Sequence, residues 1–226
     1  MAAVVLGAGP GIGRSVARRF AREGLPVAVV ARSERTLREV ADAGMVALAA
    51  DVTDEAALRA VLDRAERELG ALRAVVYNAA VVRADAPGEL SVREHQQAWA
   101  VNVVGALNTA AHVAPKMARR GGGSFIVTGG MPEPDPRYVS LSLGKAGVRA
   151  LVTLLDMRYG PSGVHVATVT VDGPVAPGTA FDPDDIAEHY WRLHTQPQGA
   201  WEREYVFTGA PPAGRGGVST DRWTRG

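Results

Sequence analysis

Short apolar runs alternate with stretches in which apolar residues recur every three or four positions, and the alternation continues through most of the chain. The runs Ala2–Gly7 ("AAVVLG"), Pro26–Arg32, Met45–Asp51, Leu72–Ala80, Gly123–Gly130 and Val164–Val171 are short and mostly apolar, as expected of strands buried on both faces. Arg203–Gly209 reads as a last strand. Helical spacing fills the intervals. It predicts helices over Ile12–Gly24 with a glycine C-cap, Glu34–Gly44, and Asp54–Leu69 capped by Thr53 or Asp54. A long helix follows from about Ser91 to Arg119, then one carrying Lys145, then Asp182–His194, whose acidic start suits the helix dipole. Such alternation of strands and helices predicts a Rossmann-type, doubly wound parallel sheet of about seven strands, with helices on both faces. One domain is expected over residues 1–209. Residues 210–226 are aperiodic and rich in Gly, Pro and Arg, and read as a disordered tail or one that packs on a partner subunit.

Composition narrows the function classes. The chain has 226 residues, 46% hydrophobic and 22% charged, ordinary for a soluble globular protein. A net charge of +1 offers no basic field for nucleic acid. No apolar run is long enough to span a membrane. The apolar start lacks a cationic stretch and a small-residue cleavage site, so it reads as a first strand rather than a signal peptide. With no Cys and five scattered His, no disulfide, thiolate or metal set is expected. The cytoplasm is the expected location. There are 23 Arg but only two Lys, Lys116 and Lys145. In a chain that uses Arg where any cation would do, a Lys points to a specific need for a compact ammonium.

The stretch "GAGPGIG" lies between the first strand and the first helix. Gly7 permits a tight turn, Gly11 lets backbone approach a pyrophosphate, and Gly13 lets the helix pack close to the strand with its positive end facing phosphates. A plain turn would also use glycines, but this position favours a dinucleotide site. Where the second strand ends, an NAD site usually carries an acid for the ribose 2′-OH. This chain has Arg32 and Ser33, with Arg14 just after the glycine loop. Guanidinium groups suit a 2′-phosphate, which favours NADP(H) over NAD(H); the alternative is two solvated Arg in an Arg-rich chain. Asp51, closing the third strand, could accept from the adenine amine or cap the next helix.

Together "GAGPGIG", Asp51-Val52, "NAA" at Asn78–Ala80, "VNVVG" around Asn102 and "GKAG" around Lys145 resemble the short-chain dehydrogenase/reductase family over about residues 2–209. The resemblance implies that Asn78 steadies the central strand and the adenosine side, and that Asn102 holds a water in a proton relay. Lys145 would bind the nicotinamide ribose and lower the pKa of a catalytic Tyr. The implied cofactor wall includes Gly7, Gly9, Gly11, Ile12, Gly13 and Arg14. It continues over Arg32, Ser33, Asp51, Val52, Asn78, Ala79 and Ala80. Lys145, Gly173, Val175 and Thr179 complete it. Family members usually form dimers or tetramers through the Ser91–Arg119 and Lys-bearing helices, so a homodimer or homotetramer is expected.

Three places depart from the family pattern, one of them after the sixth strand, where the usual Pro-Gly is replaced by Asp172-Gly173 followed by Pro174. The family's Tyr lies four residues before its Lys; here that residue is Leu141. The family's Ser closes the fifth strand; here the strand ends Thr128-Gly129-Gly130, placing Gly130 or Gly129 at the Ser position. A proton donor to a developing alkoxide contributes ~10²–10⁴-fold, and Leu141 has none to give. Tyr138 is one candidate, about 10 Å from Lys145 along a helix axis at ~1.5 Å per residue; it could equally be a packing tyrosine. Thr128 is another, with a side chain that could face either way. Ser140 and Ser142 are turned away from Leu141 on a helix, and Asp172 suits a turn. His189 and His194, with Tyr190 and Trp191, could line a pocket or form an amphipathic lid or interface helix. The leading expectation is a divergent NADP(H)-dependent oxidoreductase of a small carbonyl or imine compound. Its alternatives are a non-redox enzyme on the same fold, for dehydration, isomerisation or cyclisation, and an inert NADP(H)-binding sensor or partner protein.

Overall fold

The computed structural model describes residues 1–209; the expectation of a disordered or partner-packing tail falls on residues outside that range. The strands are β1 Ala2–Leu6, β2 Val27–Ala31, β3 Val46–Ala49, β4 Leu72–Tyr77, β5 Gly123–Gly130, β6 Val164–Val171 and β7 Glu204–Phe207. They form one parallel sheet in the order β3-β2-β1-β4-β5-β6-β7. The helices are α1 Ile12–Arg22, α2 Glu34–Val40, α3 Glu55–Leu69, α4 Val92–Trp99, α5 Gly105–Arg119, α6 Val139–Tyr159 and α7 Pro183–Thr195. The architecture is the single-domain Rossmann-like sheet that the alternating runs predict.

Alternation of side chains along β1 divides the core. Ala2, Val4 and Leu6 pack with α3, α5 and α6 on one face. Ala3 and Val5 pack with α1, α2 and α7 on the other. Strands covered on both faces must be apolar on both, which is why they read as continuous apolar runs rather than alternating ones. The direction of strand succession reverses between β1 and β4. In sheets of this kind the crevice at the carboxyl ends of such strands receives the ligand.

The stretch expected to be one long helix is broken by a π-helical turn, Ala100–Val104, between α4 and α5. Tyr77 explains it. Its hydroxyl donates to the Val101 carbonyl at 2.5 Å, while the Gly105 N–H reaches back to the Ala100 carbonyl. A Cβ on Gly105 would lie 2.2 Å from the Tyr77 oxygen. A side chain from the sheet therefore takes a carbonyl out of the helical ladder, and the widened turn accommodates it. Among the described residues no helix is long and apolar enough to cross a membrane.

Candidate active site

A cleft of about 1030 Å³ opens over the carboxyl ends of β1, β2, β4, β5 and β6. Its first wall is the glycine loop. Gly7 adopts φ +79°, and a Cβ there would lie 2.3 Å from the Ala79 backbone nitrogen. A Cβ on Gly13 would lie 2.7 Å from the Gly7 carbonyl oxygen. These two glycines are required by the approach of β1, β4 and α1. Gly9 and Gly11 differ: both line the cleft, and a Cβ on either would meet no protein atom within 4 Å. Their missing side chains keep cleft volume free. The N–H groups of Gly11, Ile12 and Gly13 have no acceptor among the described residues. Unpaired N–H groups at a helix start favour an anion, and α1 has no acid in its first turn.

The second wall follows β2. Arg32 and Ser33 line the cleft, as do Arg35 and Thr36, which the motif reading missed although they stand in the same "ARSERTL" stretch. The Ser33 hydroxyl accepts the Thr36 N–H at 3.2 Å and caps α2. Arg32 forms no ion pair among the described residues, whereas Arg35 lies 3.8 Å from Glu39. Arg14 does not line the cleft; one of its terminal nitrogens lies 3.9 Å from Asp42, and its Nε is buried without an acceptor. Asp51 also stays off the wall. Its carboxylate accepts from the Thr53 N–H at 2.9 Å and the Thr53 hydroxyl at 2.7 Å, which hold its pKa below the usual carboxylate range. Asp54 instead caps α3. Val52 is on the wall.

β4 and β5 supply the floor. The Asn78 amide donates to the Gly7 carbonyl at 2.8 Å, and its oxygen accepts from the Thr128 hydroxyl at 2.7 Å. The same hydroxyl meets the Tyr190 hydroxyl at 2.7 Å. Thr128 thus braces Asn78 and the glycine loop against α7, and its hydroxyl is engaged away from the cleft volume. Ala79, Ala80, Val81 and Val82 continue the floor. Asn102 is buried in the π-helical turn and off the cleft wall; its oxygen accepts the Val81 N–H at 2.7 Å, while its amide nitrogen has no partner among the described residues.

The inner end is formed by β5, α6 and the segment after β6. Leu141 and Lys145 stand one turn apart on α6, 6% and 7% exposed, and both line the cleft. Lys145 Nζ donates to the Thr128 carbonyl at 2.7 Å. Burial lowers its pKa to about 8, because an ammonium loses its hydration there. Of the two glycines ending β5, only Gly130 has room for a side chain. A Cβ there would sit 3.6 Å from Lys145 Cε, whereas one on Gly129 would lie 2.4 Å from the Thr170 hydroxyl oxygen. Met131 follows with φ +47°, its carbonyl and that of Gly130 held by Arg149 at 3.1 and 3.2 Å. A non-glycine residue at such φ stores strain, and this one lines the cleft.

Tyr138 does not join this group. It precedes the first turn of α6 at φ −142°, outside the cleft lining. It cannot cap α6 with its own side chain, and a buried acid does so instead. Asp85 accepts from the Ser140 N–H at 2.9 Å and the Ser140 hydroxyl at 2.8 Å. Ser142 bonds the Asp135 backbone. Both serines thus anchor the entry to α6. Nothing in the sequence marked Asp85 or Arg149, since their partners are distant along the chain.

Gly173, Pro174 and Val175 close the cleft after β6, whereas Thr179 lies beyond it, its hydroxyl donating to the Ala176 carbonyl at 2.8 Å. Asp172 is exposed, its N–H bonded to the Phe207 carbonyl. None of the α7 residues lines the cleft. Tyr190 is fully buried against the sheet, His189 stacks on Tyr205 at 4.0 Å, and His194 Nδ1 meets the Ser124 hydroxyl at 2.6 Å, its pKa lowered to about 4 by burial. α7 is a packing helix.

Residues 1–180 match the family described as short chain dehydrogenase. Over 191 residues the chain is 33% identical to cis-4-hydroxycyclohexanecarboxylate dehydrogenase of Sinomonas cyclohexanicum, covering 80% of this chain and 74% of that one. It resembles the crystal structure of a metagenomic short-chain oxidoreductase in complex with NADP, with TM-score 0.81 and 27% identity over 91% of this chain and 95% of that one. It is also similar to an alcohol dehydrogenase from the archaeon Thermococcus sibiricus complexed with 5-hydroxy-NADP, with TM-score 0.80 and 25% identity over 91% and 94% of the two chains.

Proposed function

Because the chain belongs to the short-chain dehydrogenase family, we propose that it is an NADP(H)-dependent oxidoreductase of a small carbonyl or imine compound, with Gly130 and Leu141 standing where the family carries Ser and Tyr. The observation that carries this reading is a cleft with unpaired helix-start N–H groups at one end, an unpaired Arg32 beside them and a buried Lys145 at the other. The donors present fit the cofactor. The N–H groups of Gly11, Ile12 and Gly13 take the pyrophosphate. Arg32 and Ser33 take the 2′-phosphate, with Arg35 adding charge. Lys145 takes the nicotinamide ribose hydroxyls. When bound, the cofactor supplies or accepts a hydride. Asn78 and Thr128 hold the loop that receives it, and Val81, Val101, Met131, Leu141 and Val175 make an inner end that excludes water and suits an apolar substrate body.

Arg32→Asp tests the cofactor choice. It removes a charge-assisted contact and adds a like charge, so NADPH affinity falls about 10- to 100-fold, by roughly 1.5–3 kcal/mol, while NADH affinity holds or rises. Titration of intrinsic fluorescence with each nucleotide measures both. Equal loss of the two would remove the assignment of Arg32. Tight NADPH binding without turnover on any ketone, aldehyde or imine would leave a cofactor-binding role in place of an oxidoreductase. The outward face of α4 to α6 carries Trp99, Leu107, Leu143, Leu154 and Met157, 44% to 70% exposed. We assign it to a homodimer or homotetramer contact, which light scattering checks. The absence of Cys from the chain suits a cytoplasmic enzyme.

A further inference from the structure

The inner end of the cleft poses a chemical problem that its own residues resolve. Reducing a carbonyl to an alcohol needs a proton as well as a hydride. The titratable side chains on the cleft wall are Arg32, Arg35 and Lys145, and its hydroxyls are those of Ser33, Thr36 and Thr128. Arg32, Ser33, Arg35 and Thr36 follow β2, three strands from β5. At ~4.8 Å per strand spacing they lie roughly 14 Å away, and guanidinium groups do not release protons near neutrality. The Thr128 hydroxyl is engaged by Asn78 and Tyr190. Tyr138 is off the wall. Among the described residues one group with a transferable proton remains.

We infer that Lys145 is itself the general acid, giving its proton to the substrate oxygen in the space left open by Gly130 and Leu141. This rests on the oxidoreductase reading above, and it makes Lys145 a catalytic residue in its own right rather than a helper to a tyrosine. The ammonium has three N–H donors: one goes to the Thr128 carbonyl, one is shared by the ribose hydroxyls of the bound cofactor, and the third is left for the substrate oxygen. Gly130 leaves a side-chain-sized gap beside the end of the Lys145 stem, since a Cβ there would only just touch Cε, at 3.6 Å. Leu141, one turn earlier on the same face, presents no competing polar group. As the carbonyl carbon accepts a hydride from reduced nicotinamide, the C=O π pair becomes an oxygen lone pair. One Nζ–H bond breaks, an O–H bond forms, and the neutral amine regains a proton from water. In the alcohol-oxidising direction the neutral amine is the base. Burial tunes the group for this exchange, lowering its pKa to about 8.

None of the other titratable groups around Lys145 lines the cleft. The charged or titratable groups on the elements packed around Lys145 are Arg149, Asp156, Arg158 and Tyr159 on α6, Arg93, Glu94 and His95 on α4, His112, Lys116 and Arg119 on α5, His165 at the far end of β6, and Asp85 and Asp172 in the flanking loops. Arg149 is bound to carbonyls, Glu94 to Ser91 and Arg83, and Asp85 to Ser140. His112 and Lys116 of α5 are paired with Asp63. β5 and the π-helical turn carry none.

The test compares two probes of one shape: 2-tetralone, whose oxygen needs a proton, and N-methyl-3,4-dihydroisoquinolinium, which needs only a hydride. With NADPH, kcat for the ketone falls tenfold per pH unit above about 8, while kcat for the iminium stays level. Lys145→Met lowers ketone turnover at saturating NADPH ~100-fold or more beyond its effect on the iminium, the size of a lost general acid. Lys145→Arg, which keeps the charge but holds its proton, gives the same split. Equal losses on both probes, or a level ketone profile, overturn the inference but leave the oxidoreductase reading intact. No turnover of either probe, nor of a wider carbonyl and imine panel, removes the oxidoreductase reading and the inference with it. A second readout needs no catalysis. With 13C-lysine the full chain shows two Cε signals, assigned by Lys116→Arg. The Lys145 signal titrates well below that of Lys116 in the NADP+ complex; titration above pH 10 there overturns the inference.

Discussion

The two ends of the cleft dispense with side chains for opposite reasons. At the glycine loop, Gly7 and Gly13 are bare because backbone atoms occupy the place of a Cβ, 2.3 and 2.7 Å away. At the end of β5, Gly130 is bare although a side chain would fit, with its nearest neighbours at 3.6 Å. The first kind of glycine is a condition of the fold, since β1, β4 and α1 could not otherwise approach. The second is a property of the site. Where packing forces a residue, its identity says little about chemistry. Where packing permits a residue that is missing, the vacancy shapes what can bind.

The contrast breaks first at Gly7. Gly7→Ala adds a clash with backbone and a left-handed φ for an L residue, and destabilises the protein by about 3 kcal/mol or more. Urea unfolding of the apoprotein measures it, and a loss below about 1 kcal/mol would mean the loop can yield. Next comes the buried charge at the other end. Burial holds the folded pKa of Lys145 at about 8, against 10.5 for an ordinary lysine, so above pH 8 the native state holds fewer protons than the unfolded chain. Stability therefore rises with pH through this window, by about 2–3 kcal/mol between pH 8 and 10 at ~1.36 kcal/mol per unit, and Lys145→Met abolishes the rise. Above pH 10 the buried Tyr77 and Tyr190, whose pKa values are raised by burial, pull the other way, so the measurement stops there. An unchanged slope in Lys145→Met would show that the ammonium is hydrated in solution. The smallest effect belongs to Gly130→Ser. It changes stability by less than about 1 kcal/mol, whereas Gly129→Ser, which meets the Thr168 and Thr170 hydroxyls at 2.6 and 2.4 Å, costs about 1–3 kcal/mol. Similar losses at both positions would erase the distinction between the two glycines.

Much of this was legible along the chain because it is local. Strand and helix periods, the spacing of Gly7, Gly11 and Gly13, and Lys145 in "GKAG" all depend on neighbours in sequence. Arg32 and Ser33 were legible for the same reason. Arg35 stood in the same stretch and went unread, because a residue four past the strand end is drawn to the cleft by the first turn of α2. The π-helical turn was not legible at all. It arises from Tyr77, a residue 24 positions before the carbonyl it captures. Nor could the sequence place Thr128, whose hydroxyl meets partners 50 and 62 residues away.

By itself, then, the sequence determined a parallel doubly wound sheet, a glycine loop opening the first helix and one of only two lysines in an Arg-rich chain, since each follows from residue type and short-range spacing. Only the tertiary structure decided which polar groups remain free for chemistry. Whether a hydroxyl is spent on packing, as in Thr128, Ser140 and Ser142, or a gap stays open, as beside Gly130, depends on which distant segments meet. Those meetings leave Lys145 at the inner end with donors to spare and Tyr138 outside the cleft.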